Sequence, residues 1–255
     1  MTELRRKKEL AAIILAAGKG TRMNSDLVKV LHPLCGRPMI WYVTALAQSL
    51  GAAKTVVVVG HQAQKVMEAL EGRDLIYAFQ EYQLGSAHAV QQARHDLRGF
   101  DGDVLILCGD VPLLRPATLE ALLERHRSRG AAITVMTALP DDPGSYGRVV
   151  KSEAGDVLRI VEARDAGPEE RKIREINTGI YCADRAFLFD AVGRIGNTNA
   201  QGEYYFTDIF EIAVRDQRKT GAYVLDDPEE AMGINTVDDL RRAEQIMKTR
   251  WHDTM

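Results

Sequence analysis

A chain of 255 residues is long enough for one large α/β domain or two small ones, and for a substantial buried core. Hydrophobic residues make up 45% and charged residues 27%, while 21 Gly and 8 Pro show no period, which excludes disordered, collagen-like and low-complexity classes. With 33 basic and 36 acidic residues the net charge is −3, so there is no whole-molecule attraction to nucleic acid or anionic membrane, and a bound anion must meet a local cluster.

Cys35, Cys108 and Cys182 are odd in number and widely spaced, with no C-x-x-C, which fits a reducing compartment better than a disulfide framework or a zinc knuckle. Arg5, Arg6, Lys7 and Lys8 ahead of an apolar run superficially match a signal peptide. Glu3 and Glu9 interrupt the basic stretch, however, and no clean A-x-A site follows, so residues 1–10 read as a basic, solvated tail. With no other stretch near 18 apolar residues, a cytoplasmic protein is expected.

In chain order, β-branched runs predict strands over 11–17, 55–60, 75–80, 104–108 and 132–138. Between them, apolar residues spaced three and four apart predict helices over 39–50, 62–70, 86–97 and 117–129. That alternation implies βαβ units and a mainly parallel sheet. Beyond residue 139 the rhythm changes. Residues 148–151 and 157–162 read as an antiparallel pair, 177–182 as a returning strand, and 237–248 as a closing helix. Residues 140–147 and 196–202 read as loops, and 165–175 as a charged, solvated stretch.

A Gly-rich turn follows the first strand: Leu15-Ala16-Ala17-Gly18-Lys19-Gly20-Thr21-Arg22-Met23, with Lys29 shortly after. Small residues let backbone N–H groups approach phosphate oxygens, and Lys19, Arg22 and Lys29 supply positive charge. Met23 replaces the third glycine of a dinucleotide fingerprint and no Walker sequence exists, which weakens both of those readings. After the fourth strand comes Cys108-Gly109-Asp110, an acid at a strand's carboxyl end, where ligands of doubly wound sheets sit. A lone Asp suits Mg²⁺ on a triphosphate, because that ion keeps most of its waters. Each motif also has a plain structural use, as a strand-to-loop turn and as a cap on the Pro112 turn. The six histidines share no ligand-like spacing, and no G-x-S-x-G is present.

Taken together, L-A-A-G-x-G-T-R-M, E-I-N-T-G-I from Glu175 to Ile180 and N-A-Q-G-E-Y-Y from Asn199 to Tyr205 resemble one family. It is the uridyltransferase half of the bacterial bifunctional N-acetylglucosamine-1-phosphate uridyltransferase/glucosamine-1-phosphate acetyltransferase. The resemblance implies a Rossmann-like nucleotide-diphospho-sugar transferase fold of the α/β class, with a mixed, mostly parallel sheet and a small antiparallel sugar-binding insertion. One domain over 11–250 is expected: a nucleotide-binding half over 11–138, a sugar-binding half over 139–235, and a closing helix over 236–250. No left-handed β-helix acetyltransferase domain is expected. The implied activity is condensation of UTP with N-acetylglucosamine 1-phosphate to UDP-N-acetylglucosamine, a cell-wall precursor, with release of pyrophosphate.

By matching positions, the resemblance implies that Leu15, Ala16, Ala17, Gly18, Gln80, Gly85, Ser86, Cys108 and Gly109 hold the nucleotide, with Arg22 and Lys29 on its phosphates. It places Mg²⁺ on Asp110 and Asn235, and the amino sugar on Gly147, Glu162, Asn177, Thr178 and Tyr205. Arg22, Lys29 and Asp110 would carry catalysis. Three positions depart from the family pattern: Ser86 stands for Thr, Cys108 for Tyr, and Val28 for Pro. A monomer or weak homo-oligomer without nucleic-acid or membrane partners is expected. Two alternatives stay open: a related transferase with another sugar or nucleotide, and a catalytically silent sugar-nucleotide-binding regulator.

Overall fold

The structure is a computed structural model, and it describes residues 8–23 and 25–252. The chain opens with β1 (Glu9–Ala16), crosses a loop carrying short 3₁₀ turns at Thr21–Met23 and Lys29–Leu31, and makes a small hairpin of β2 (Pro33–Leu34) and β3 (Arg37–Pro38). There follow α1 (Met39–Ser49), β4 (Lys54–Val59), α2 (Ala63–Ala69), β5 (Ile76–Phe79), α3 (Ser86–Gln92), β6 (Gly102–Cys108), α4 (Pro116–Arg129) and β7 (Ile133–Ala138). The second part holds β8 (Arg148–Lys151), β9 (Val157–Val161), α5 (Pro168–Arg171), β10 (Ile176–Asp184), α6 (Arg185–Val192), α7 (Ile209–Arg215), β11 (Thr220–Val224) and α8 (Val237–His252).

The main sheet runs β11-β7-β10-β6-β1-β4-β5. β1 pairs in parallel with β4 and β6, β4 with β5, and β11 with β7, while β10 runs antiparallel between β6 and β7. The β8–β9 hairpin joins this sheet through one antiparallel register pair, Arg148 with Ile176. This is the mixed, mostly parallel architecture that the sequence implies.

Side-chain alternation explains why the central strands are apolar on both sides. Ile13, Val56, Val58, Val104 and Ile106 bury one face, under α3, α6 and α7. Their neighbours Ile14, Val57, Val59, Leu105 and Leu107 bury the other. The chain order reverses between β1 and β6, because β1 is flanked by β4 on one side and β6 on the other. The loops after those two strands therefore open on the same crevice.

Several boundaries differ from the sequence reading. β1 begins at Glu9, so residues 9 and 10 belong to the sheet rather than to a tail. Lys8 lies 3.5 Å from Asp103 and 3.1 Å from Asp184, so it is paired rather than merely solvated, while Arg5, Arg6 and Lys7 lie outside the described residues. The helix expected over 86–97 ends at Gln92 and continues as turns. The charged 165–175 stretch contains α5, whose Gly167 N–H donates to Glu170 Oε2 at 2.8 Å. Among the described residues no helix is long and apolar enough to cross a membrane.

Candidate active site

The crevice between β1 and β6 brings the two loop motifs into contact. Gly109 N–H donates to the Leu15 carbonyl at 3.0 Å, tying the end of β6 to the end of β1. Gly109 needs to be small: an added Cβ would lie 2.9 Å from Ile40 Cδ1 and 3.1 Å from the Leu15 carbonyl oxygen. Ala16 and Ala17 bury their side chains, so only their backbone is available to a ligand, whereas Gly18 is exposed. Gly20, at φ +67°, lets the loop fold over Lys29, whose Cβ would be 2.4 Å from a side chain at that position.

Lys29 sits at the centre of the polar cluster. Its ammonium contacts Asp110 Oδ2 in a short ion pair and donates to Asn235 Oδ1 at 3.0 Å. Arg22 Nη2 donates to the same Asn235 oxygen at 2.8 Å. Asn235 precedes α8, where Thr236 and Asp239 form reciprocal N-terminal hydrogen bonds and Asp239 Oδ2 also accepts from the Asn235 N–H at 2.9 Å. Asn235 Nδ2 donates to the Gly233 carbonyl at 3.1 Å, which turns Oδ1 toward the two cations. The Asp110 carbonyl accepts from Ile234 N–H at 3.0 Å, so the two oxygen-bearing segments are stitched together.

The donor set suits a hard divalent cation. A carboxylate oxygen and an amide oxygen both reach one ammonium, so both can face one cation position. Among the described residues no group of three or more His, Cys, Asp or Glu could hold a metal, so such an ion would complete its shell with water and phosphate.

On one flank lies Gln80, just past β5 and 3% exposed, with its N–H on the Val59 carbonyl at 2.8 Å. Gly85 packs against Tyr204, and Ser86 Oγ accepts from the Phe206 N–H at 2.9 Å. The Ser86 hydroxyl thus fastens the 204–206 segment to α3. Cys108 points its Sγ at the Gly179 carbonyl, 3.3 Å away, and burial pushes its thiol up to about 12, so it stays a neutral packing group.

On the other flank Asn177 pairs with Thr137 of β7, and a register shift in β10 follows it before Tyr181, with Gly179 at φ +79°. Asn177 Oδ1 accepts from Gly179 N–H at 3.0 Å, and its own N–H donates to the Gly147 carbonyl at 2.9 Å. Gly147 keeps room beside Glu162, since an added Cβ would be 3.4 Å from Glu162 Oε2. Glu162 Oε1 accepts from Thr207 Oγ1 at 3.1 Å. Burial pushes this carboxyl above its usual range, against the Thr207 hydrogen bond, and the Asp165 charge adds to the rise. The buried Tyr205 accepts from Gln201 Nε2 at 2.7 Å on its hydroxyl.

The Thr178 hydroxyl is buried and donates to the Met136 carbonyl at 2.7 Å. Alternation along β10 sends it opposite to Asn177.

Two residues near the site were not among the expected ones. Tyr146 brings its hydroxyl to Gly233, beside Asp110, and burial raises its phenol. Thr207 holds Glu162. Tyr146 adjoins Gly147 and Thr207 lies two residues past the Asn199 to Tyr205 motif, so only adjacency could have pointed to them. Asp103, near the start of β6, is fully buried at the end of the sheet away from the crevice and paired with Arg127 at 2.7 Å.

Residues 12–175 match the model of the MobA-like NTP transferase domain. The chain belongs to this family. It is 53% identical over 244 residues to the bifunctional protein GlmU of Pelobacter propionicus, covering 95% of this chain and 53% of that protein. It is 53% identical over 243 residues to the bifunctional protein GlmU of Geobacter metallireducens, covering 95% and 51%. The bifunctional protein GlmU of Desulfotalea psychrophila is 44% identical over 247 residues, covering 97% of this chain and 73% of that protein. The chain spans about half the length of the first two relatives. The family resemblance read from the motifs is thus borne out.

Proposed function

We propose that this domain joins UTP to N-acetylglucosamine 1-phosphate, giving UDP-N-acetylglucosamine and pyrophosphate. The observation that carries the reading is the convergence of Lys29, Arg22, Asp110 and Asn235 at the strand-order reversal, with Gln80 and Gly85 on one flank and Glu162 and Asn177 on the other. Relatives about half identical over nearly the whole chain support it.

A phosphate oxygen of the sugar phosphate attacks the α-phosphorus of UTP, a new P–O bond forms, and the bond to the β-phosphate oxygen breaks as pyrophosphate leaves. A phosphate dianion is nucleophilic near neutrality, so no enzyme base is required and positioning and charge neutralisation carry the rate. Lys29 and Arg22 neutralise charge on the reacting phosphates. Asp110 and Asn235 would hold Mg²⁺, which supplies charge neutralisation and orientation of phosphate oxygens when bound. Backbone N–H groups of 15–18 approach the nucleotide, and Gln80 faces the base. Asn177 and Glu162 read the acetamido sugar. Thr207 and Tyr205 hold that wall in place.

Phosphorus NMR of a mixture with UTP, N-acetylglucosamine 1-phosphate and Mg²⁺ tests the reading. A UDP-sugar with an equal amount of pyrophosphate is expected. Nucleotide binding without any product would instead favour a silent regulator, and product with another sugar phosphate alone would favour a sister transferase.

A further inference from the structure

Gln80 is almost wholly buried, and both hydrogens of its side-chain amide are engaged: Nε2 donates to the Gly85 carbonyl at 3.1 Å and lies 3.1 Å from His88 Nδ1. A carbonyl can only accept, so the nitrogen and not the oxygen must face Gly85. The second hydrogen then meets His88 Nδ1, which must offer its lone pair, making His88 the neutral tautomer protonated on Nε2. A flipped amide would set Oε1 against the Gly85 carbonyl. Two acceptors on two sides therefore fix the amide, and no described residue hydrogen-bonds Oε1.

His88 is itself firmly mounted. It lies in the first turn of α3, and that turn is pinned by Ala87 N–H on the Tyr204 carbonyl at 2.9 Å, Ala89 N–H on the Gly85 carbonyl at 3.1 Å, and Phe206 N–H on Ser86 Oγ at 2.9 Å.

We propose that His88 is a positioning residue that sets which pyrimidine nucleotide the site accepts, by holding the Gln80 amide with its oxygen free for an N–H donor on the base. This rests on the uridine-nucleotide reading above. Uracil offers an imide N–H at N3, which pairs with a fixed acceptor. Cytosine offers a lone pair at N3, which meets that acceptor as a repulsion and leaves both groups unpaired. Without His88 the amide keeps one anchor and its second hydrogen loses its partner, so the discrimination weakens while the fold of α3 stays tied to the 204–206 segment.

The test is calorimetric binding of UTP and of CTP with Mg²⁺, which needs no turnover and so separates failure of this idea from failure of the sugar chemistry. The wild type should prefer UTP, and His88→Ala should narrow the UTP/CTP ratio about tenfold. His88→Asn should restore most of it, because Asn Oδ1 sits one bond beyond Cγ as His Nδ1 does and is an acceptor. In a Gln80→Ala background, His88→Ala should change the ratio no further. Thermal melts identify any variant that has lost its fold; if His88→Ala has, His88→Leu, which keeps the bulk and lacks the acceptor, takes its place and should narrow the ratio in the same way. Equal losses on UTP and CTP, an unchanged ratio, or a wild type without preference would each overturn the proposal.

Discussion

Gly85 and Tyr204 meet backbone to backbone. A Cβ on Gly85 would lie 2.5 Å from the Tyr204 carbonyl oxygen and 2.7 Å from its nitrogen, and Gly85 adopts φ +119°, where only glycine is at ease. On either side of that contact, Tyr204 N–H donates to the Leu84 carbonyl at 2.8 Å and Ala87 N–H donates to the Tyr204 carbonyl at 2.9 Å. On the proposed reading, the contact joins the turn that meets the base to the wall of the sugar pocket. Gly85→Ala should therefore cost about 2 to 4 kcal/mol of stability and weaken binding of both substrates. Denaturant melts and calorimetry on the two substrates check this. A variant as stable as wild type would mean that the segment moves aside freely.

Asp208 carries a pH-dependent cost. Burial, joined by the charges of Glu211, Glu162 and Asp165, pushes its carboxyl up to about 6 from 3.8. The native state therefore binds a proton more tightly than the unfolded chain, and the contribution to stability is lost as pH rises from about 4 to about 6. Because the group is only half-buried, Asp208→Asn should stabilise the domain by about 1 to 2 kcal/mol at pH 7.5, less than the full shift would give. The advantage should vanish near pH 4. Melts at the two pH values decide, and a variant less stable at pH 7.5 would assign Asp208 a structural bond instead.

Asp103 works with the opposite sign. Burial raises its carboxyl, but the hydrogen bonds of His126 and Arg127 outweigh burial and hold it at about 2. Its stabilisation is present above pH 4 and is lost as pH falls through about 2. Asp103→Asn should cost about 2 to 4 kcal/mol at pH 7, since Arg127 and Lys8 lose their buried partner. The gap between variant and wild type should shrink in melts taken below pH 4, and a gap that stays constant would point to lost packing.

Asn177 lies where the β10 register shift begins, its N–H on the Gly147 carbonyl, and Gly147 in turn adjoins Glu162. Asn177→Ala should raise KM for N-acetylglucosamine 1-phosphate about tenfold or more, and should affect glucose 1-phosphate far less. Equal losses on both sugars would remove Asn177 from selection of the acetamide.

Much of the first half was legible because β1, β4, β6 and β7 are apolar runs whose both faces are buried, and because Gly18-Lys19-Gly20 and Gly109-Asp110 mark strand ends. Three features were not. The meeting of Asn235 with Lys29 and Arg22 links segments at opposite ends of the chain, and only the family resemblance suggested it. The bond from the Thr178 hydroxyl to the Met136 carbonyl joins neighbouring strands, and nothing in the motif around Asn177 reveals it. Strand β11 and helices α6 and α7 carry short, mixed patterns, and their place is set by pairing with β7 and by packing under the sheet. The acidic set around Glu162 and Asp208 likewise forms only once β9 and the turn at Phe206–Asp208 come together.

The most direct measurement is Mg²⁺-dependent pyrophosphate release from saturating UTP and N-acetylglucosamine 1-phosphate, by the wild type and by Asp110→Asn side by side. Release by the wild type and a fall of about a hundredfold or more in the folded variant are predicted. Equal rates in the two proteins, or no release by the wild type with any nucleotide and sugar phosphate, would contradict the assignment of chemistry to the Lys29–Asp110–Asn235 cluster.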